Sequence, residues 1–195
     1  MDLLTLTNMA LDLIDSQNIT SLDDDSHTAR TCKRWAYETF HELGRSYRWN
    51  FQKKYIDLTV DPIQTSNRNT WTLPADYLQL WDELEFDYEV LQNKIFAMES
   101  YDSAPSGTGT ISFSYISKDE TLLTFAPDTY TEFFSNKLAS KLATILARDL
   151  NLSAALEQKA IRASWNAFFS EDIERKPGRF SKTYGQISNS WERRA

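Results

Sequence analysis

Apolar residues return every three or four positions at the start of the chain, at Leu3, Leu6, Ala10 and Leu13 with Met9 and Ile14 alongside. This predicts a short amphipathic helix over residues 3–14. Asp2 or Thr5 is placed to cap it, the polar run at residues 15–18 ends it, and Ile19 and Leu22 pin the connection that follows. A longer stripe recurs at Ala29, Cys32, Ala36, Phe40, Leu43 and Tyr47, flanked by Trp35 and Thr39. Ser21, Asp23, Asp24 and Asp25 supply acceptors and negative charge for the positive end of a helix dipole, and Arg45 and Arg48 suit the other end. A central helix is therefore predicted over residues 21–51, antiparallel to the first and leaving through Trp49, Asn50 and Phe51.

The period then falls to two. Ile56, Leu58 and Val60 alternate with Tyr55, Asp57 and Thr59, which predicts a strand; Pro62 and the polar run at residues 64–69 predict a loop. Residues 70–73 read as a short strand stopped by Pro74. From residue 82 to 90 the alternation is strict, with Leu84, Phe86, Tyr88 and Val90 on one face and Glu83, Glu85, Asp87 and Glu89 on the other. A strand with one core face and one wholly acidic face is expected. Asn93-Lys94, between two apolar pairs, has the size of a tight hairpin turn. Residues 102–110 hold two of the five glycines and read as the most flexible loop of the body, Ile111, Phe113 and Tyr115 alternate with serines in a further strand, and residues 122–125 add a last one.

Helical spacing returns after Pro127, where Thr129 and Glu132 have capping-box separation and Phe134, Leu138, Leu142, Ile145 and Leu146 form a stripe reaching about residue 150. Asn151 or Ser153 starts a last helix. It carries a narrow stripe of Leu156, Ala160, Ala163 and Ala167 beside a bulky one of Ile161, Trp165 and Phe168, a surface wide enough for two neighbours. Pro177-Gly178 closes it. The expected class is α+β, mainly helical: an antiparallel helix bundle from residues 1–51 and 127–176, a small β-rich insertion at 52–126 and an extended C-terminal tail at 177–195.

A chain of 195 residues buries a sizeable core without metal or disulfide, and its single cysteine, Cys32, lies on an apolar stripe. No run is apolar enough to span a membrane and the start lacks a basic n-region, so a soluble, unsecreted protein is expected. A formal charge of −7 disfavours general nucleic-acid binding. The charge is uneven, however: beyond Pro177 the chain carries Arg179, Lys182, Arg193 and Arg194 against Glu192 alone. A basic tail on an acidic body predicts docking on an acidic surface such as a neighbouring copy, and the plentiful aromatic residues suit either interface anchors or a core.

Candidate chemistry is thin. Asp23, Asp24, Asp25 and His27 resemble a metal cluster, but an EF-hand register places Thr28 at the glycine position and Arg34 at the bidentate glutamate, so helix N-terminal charging explains them better. His41 is a lone histidine. Glu83, Glu85, Asp87 and Glu89 supply carboxylates, yet neighbours along one strand face lie side by side and solvated, whereas glycoside hydrolysis needs a pair across a cleft. No nucleophile elbow, phosphate loop, dinucleotide fingerprint or Cys/His metal spacing is present in the sequence. No catalytic, cofactor or metal role is therefore predicted. The recognition element is the tail, where Phe180, Tyr184 and Trp191 anchor and Arg179, Lys182, Arg193 and Arg194 orient.

Ile19-Thr20-Ser21-Leu22-Asp23-Asp24-Asp25-Ser26, Ala29-Arg30, Cys32 and Trp49-Asn50-Phe51 together resemble the tail tubular protein A family, the head-to-tail adaptors of short-tailed bacteriophages. Leu73-Pro74-Ala75-Asp76-Tyr77 and the helix from Lys137-Leu138-Ala139 to Leu146-Ala147 resemble two further family segments. The chain departs from the pattern at Asp15-Ser16, where a glycine turn is expected. The resemblance implies a structural virion protein, without catalysis, that assembles in the host cytoplasm as a dodecameric ring between the portal protein and the tail nozzle protein. Genomic DNA passes through such a ring without specific binding, and no membrane is involved. The tail beyond Pro177 matches no family segment, and its contact with the portal or the neighbouring subunit is read from its own residues; Glu83, Glu85, Asp87 and Glu89 are the candidates to face the channel of such a ring. A phage-associated cell-wall hydrolase is the alternative, separated by a peptidoglycan-release assay.

Overall fold

The computed structural model describes residues 1–61, 69–98 and 109–175, with side chains described as far as residue 170. The chain mixes helix and sheet, and the strands of the described residues pair antiparallel. It divides into two units, Met1–Thr39 with Leu123–Ala195, and Phe40–Leu122. Among the described residues no helix is long and apolar enough to cross a membrane.

In the first unit, helix α1 (Leu3–Asp12) starts at Asp2, whose carboxylate accepts from the Thr5 amide at 2.8 Å, and buries Leu3, Leu6, Ala10 and Leu11. Asp15 ends the turn with φ of +53°, the left-handed conformation for which a glycine is the usual choice, and Ser16 N–H donates back to the Leu11 carbonyl at 3.0 Å. The departure from the expected glycine is thus met by a residue type that tolerates this region better than most. Asn8 then clamps the connection, since its amide both donates to and accepts from the Ile19 backbone at 3.0 Å.

Helix α2 (His27–Ser46) is shorter than predicted at both ends. Its first-turn acceptor is Ser26, whose Oγ takes the Ala29 N–H at 3.1 Å, while Ser21 and Asp24 shape the preceding turn and the carboxylates of Asp23 and Asp25 hold Lys33 and Arg30. At the far end Asn50–Gln52 is a separate 3₁₀ turn, anchored by Trp49 Nε1 donating to the Leu43 carbonyl at 3.1 Å. The predicted stripe is buried at Ala29, Cys32, Ala36, Phe40 and Leu43, and burial pushes the Cys32 thiol up to about 11.

Helix α3 (Asp128–Leu142) packs on α1 and on α4 (Leu150–Arg175) through Tyr130, Phe134, Leu138 and Ala139, all fully enclosed. The expected capping box is absent: Pro127 occupies the N-cap, Thr129 lies inside the helix, and no side chain caps it. A π-helical turn at Ala143–Ala147 and a left-handed Arg148 separate the two helices. Asp149, rather than Asn151 or Ser153, starts α4 by accepting from the amides of Asn151 and Leu152 at 2.9 Å. Lys137 and Ser140 on α3 both donate to Glu157 on α4, at 2.7 and 2.9 Å, and tie the pair polarly beside its apolar seam. The predicted closure at Pro177-Gly178 lies outside the described residues.

Among its described residues the second unit holds two three-stranded sheets. Strands β1 (Lys53–Thr59), β6 (Thr110–Ser117) and β3 (Tyr77–Leu80) form one in the order β1-β6-β3; β2 (Thr70–Thr72), β5 (Lys94–Ala97) and β4 (Tyr88–Leu91) form the other in the order β2-β5-β4. Trp71, Ile95 and Ala97 from the second meet Ile111, Phe113 and Tyr115 from the first in a common core. β3 is a strand that apolar alternation does not announce. The predicted strand over residues 82–90 is corrected: residues 81–87 run as bends and coil, and only Tyr88–Leu91 pairs. The hairpin exists, but Gln92 and Asn93 turn it, with φ of +48° and +64°, one residue earlier than expected. Residues 122–125 are not a strand, since Glu120–Phe125 is 3₁₀. Of the predicted loops, 64–69 is described only at Asn69 and 102–110 only at Gly109 and Thr110.

Candidate functional site

The period-two pattern of β1 puts Tyr55 and Asp57 on the face opposite Ile56 and Leu58, and antiparallel register sets them against Ser114 and Ser112 of β6. The segment after β3 forms a wall along this face. Asp82 fixes its start, accepting from Ser114 Oγ at 2.6 Å, and Phe86 fixes its end by burial against Trp71, with ring centroids 5.6 Å apart. Between strand face and wall lies an open groove of about 520 Å³, edged by the carboxylates of Asp57, Asp82, Glu83 and Glu85.

Lys53, two residues before Tyr55 on the same strand face, sits beside two of the groove's lining residues, Tyr55 and Asp82. Lys53 Nζ lies 4.8 Å from the Tyr55 ring centroid and 4.7 Å from that of Trp81, and 3.9 Å from the Asp82 carboxylate. The chain's own ammonium is thus packed on two aromatic faces and paired with the Asp82 carboxylate. Among the described residues no cation pairs with Asp57, Glu83 or Glu85. The groove therefore presents negative charge over apolar and hydroxyl-bearing walls.

The sequence-predicted acidic set is placed unevenly. Glu83, Glu85, Asp87 and Glu89 are all exposed, but only Glu83 and Glu85 line the groove, and only Glu89 lies on a strand. The tail residues Arg179, Phe180, Lys182, Tyr184, Trp191, Arg193 and Arg194 lie outside the described residues. Tyr55, Asp57 and Asp82 escaped sequence reasoning because the pairing that gathers them joins strands at opposite ends of the unit; the alternation of β1 was the signal that Asp57 faces outward.

A second cluster in the same unit is structural. Lys54 Nζ donates to Asp76 at 2.8 Å and to Asp119 at 2.9 Å, and Asp76 also accepts from Ser117 Oγ at 2.7 Å and Tyr115 Oη at 3.0 Å. Burial raises the Asp76 carboxyl, but the bonds from Lys54, Ser117 and Tyr115 outweigh it and hold the group below the usual range. The Lys54 bond, with those from Thr121, pulls Asp119 down to about 2. Burial, then the bond to Asp76, pushes Tyr115 up to about 12. Asp76 is the aspartate of the Leu-Pro-Ala-Asp segment, and its role is to lock the β3–β6 edge. His41 is half-buried, and burial, with Arg45 and Lys118, lowers its imidazole. Among the described residues no three His, Cys, Asp or Glu side chains converge as metal ligands. Comparison with known protein families and with curated proteins finds no match to this chain.

Proposed function

We propose that this chain is a head-to-tail adaptor of a short-tailed bacteriophage, a structural protein that forms a ring between portal and tail nozzle and lines the DNA channel. In this reading helices α1 to α4 are an antiparallel bundle, the β-rich part is an insertion directed to the nozzle, and the tail at 177–195 reaches the portal or an adjacent subunit. The observation that carries it is the two-faced character of α4. Leu156, Ala160, Ala163 and Ala167 are buried, whereas Ile161, Trp165 and Phe168, spaced along another face, are 43, 60 and 47% exposed. Large apolar side chains left about half in water along a long helix support a protein partner, because completing their burial is worth about 1 kcal/mol each. A ring supplies such a partner to every subunit.

The test is the mass of the purified chain by light scattering, alone and after mixing with the portal ring of the same virus. A stoichiometric ring added to the portal is expected, and Trp165→Ser with Phe168→Ser should abolish it while leaving the far-ultraviolet circular dichroism unchanged. A folded chain that associates under neither condition overturns the reading.

A further inference from the structure

We propose that the acidic groove between the β1–β6 face and the Asp82–Phe86 wall receives the basic aromatic tail, residues 177–195, of a neighbouring copy of this chain. The inference rests on the homo-oligomeric part of the adaptor reading and adds to it the surface and the segment that meet. Shape limits the guest first. A groove of about 520 Å³ holds a few side chains of an extended segment, not a folded domain. Charge limits it next: Asp57, Glu83 and Glu85 carry no cation among the described residues, so a phosphate-bearing guest is repelled and a cationic one drawn in.

The tail has the complementary composition, with Arg179, Lys182, Arg193 and Arg194 against Glu192. Its aromatic residues match the rest of the surface. Tyr55 is 77% exposed at the groove and offers ring surface that the aromatic side chains of a guest can cover. The serine hydroxyl of Ser112, on the same face, suits the backbone of an extended guest.

Carbodiimide coupling joins a lysine directly to a touching carboxylate and tests the contact on the full-length chain. Equal parts of ¹⁵N-labelled and unlabelled chain are mixed at rising concentration, coupled, digested and read by mass. Lys182 joined to Glu83 or Glu85 in mixed-isotope pairs is the expected result. Replacing Arg179, Arg193 and Arg194 by Gln, with Lys182 retained, should lower that yield about tenfold, because several exposed charge pairs are lost together. Coupling of Lys182 only within one chain, only to carboxylates outside the groove, or not at all overturns the proposal. A ring that assembles on the portal without these couplings removes the tail contact alone, and mixed-isotope couplings without portal assembly remove the portal reading alone.

Discussion

Asp76 shows how much one side chain decides in the β-rich unit. Its two oxygens take bonds from three side chains, and the Lys54 ammonium that supplies one of them also reaches Asp119. Replacing Lys54 by Met leaves two carboxylates facing each other without the cation between them. Because these groups are about one-third exposed, water screens part of the penalty, and an expected loss of about 1–2 kcal/mol in urea unfolding at neutral pH follows. The pH dependence has a definite sign. Both carboxyls titrate lower in the folded chain than the ~3.9 of an unfolded aspartate, so their contribution is present above about pH 4 and is lost as pH falls toward about 2, where Asp119 protonates. Lys54 is shifted up, so its contribution is complete below the ordinary lysine range and lost only as pH rises through the higher folded value. Unfolding midpoints measured from pH 5 to 2 should therefore fall less steeply in Lys54→Met than in the parent. Parallel curves would mean the cluster does not hold the β3–β6 edge.

At the scale of elements, the β4–β5 hairpin marks where sequence patterning stops. Both central residues of its turn have positive φ, and Asn93 is held there by its own side chain, which donates to the Leu73 carbonyl at 3.0 Å. Gln92 adopts +48° against its preference. Gln92→Asn should raise stability by about 0.5 kcal/mol, since asparagine tolerates the left-handed region better; a loss in the same unfolding assay would contradict the turn type. The one-residue offset in the expected turn arose because no glycine marks its second position. Elements with regular apolar spacing, α1, the α2 stripe and β1, were legible because burial follows the period, whereas β6 is buried on both faces from Phe113 to Ser117 and was legible from its apolar-serine alternation alone. Glu83, Glu85, Asp87 and Glu89 were legible as exposed acids, but not as a coil wall, because Phe86 turns inward to Trp71 and mimics strand alternation. Caps failed where several candidates crowd a boundary: Ser26 and Asp149 are chosen by chain geometry among neighbours of equal chemistry. β3 was invisible because it is four residues long and owes its existence to pairing with β6.

At the scale of the whole molecule, the charge of −7 and the exposed acids disfavour tight binding of a polyanion. An adaptor that surrounds a moving polyanion is served by a wall that repels phosphate, because each basic contact would release counterions and create a sticking point. Glu83, Glu85, Asp87 and Glu89 stand in solvent, and on the adaptor reading they are the channel-facing set. The same reading sets two demands on Glu83 and Glu85, which line the groove proposed for a neighbour's tail, whereas Asp87 and Glu89 lie outside it. Pairwise neutralisation separates the demands. Asp87→Asn with Glu89→Gln should leave assembly intact and slow genome ejection severalfold if repulsion at the wall eases DNA past. Glu83→Gln with Glu85→Gln should instead weaken subunit association, visible as a lower ring yield in light scattering at raised salt, where the remaining charge pairs are screened. Ejection kinetics from phage particles carrying the first pair provide the decisive measurement. Unchanged kinetics in correctly assembled particles would remove the channel role from these side chains and leave their charge to solubility and to the groove.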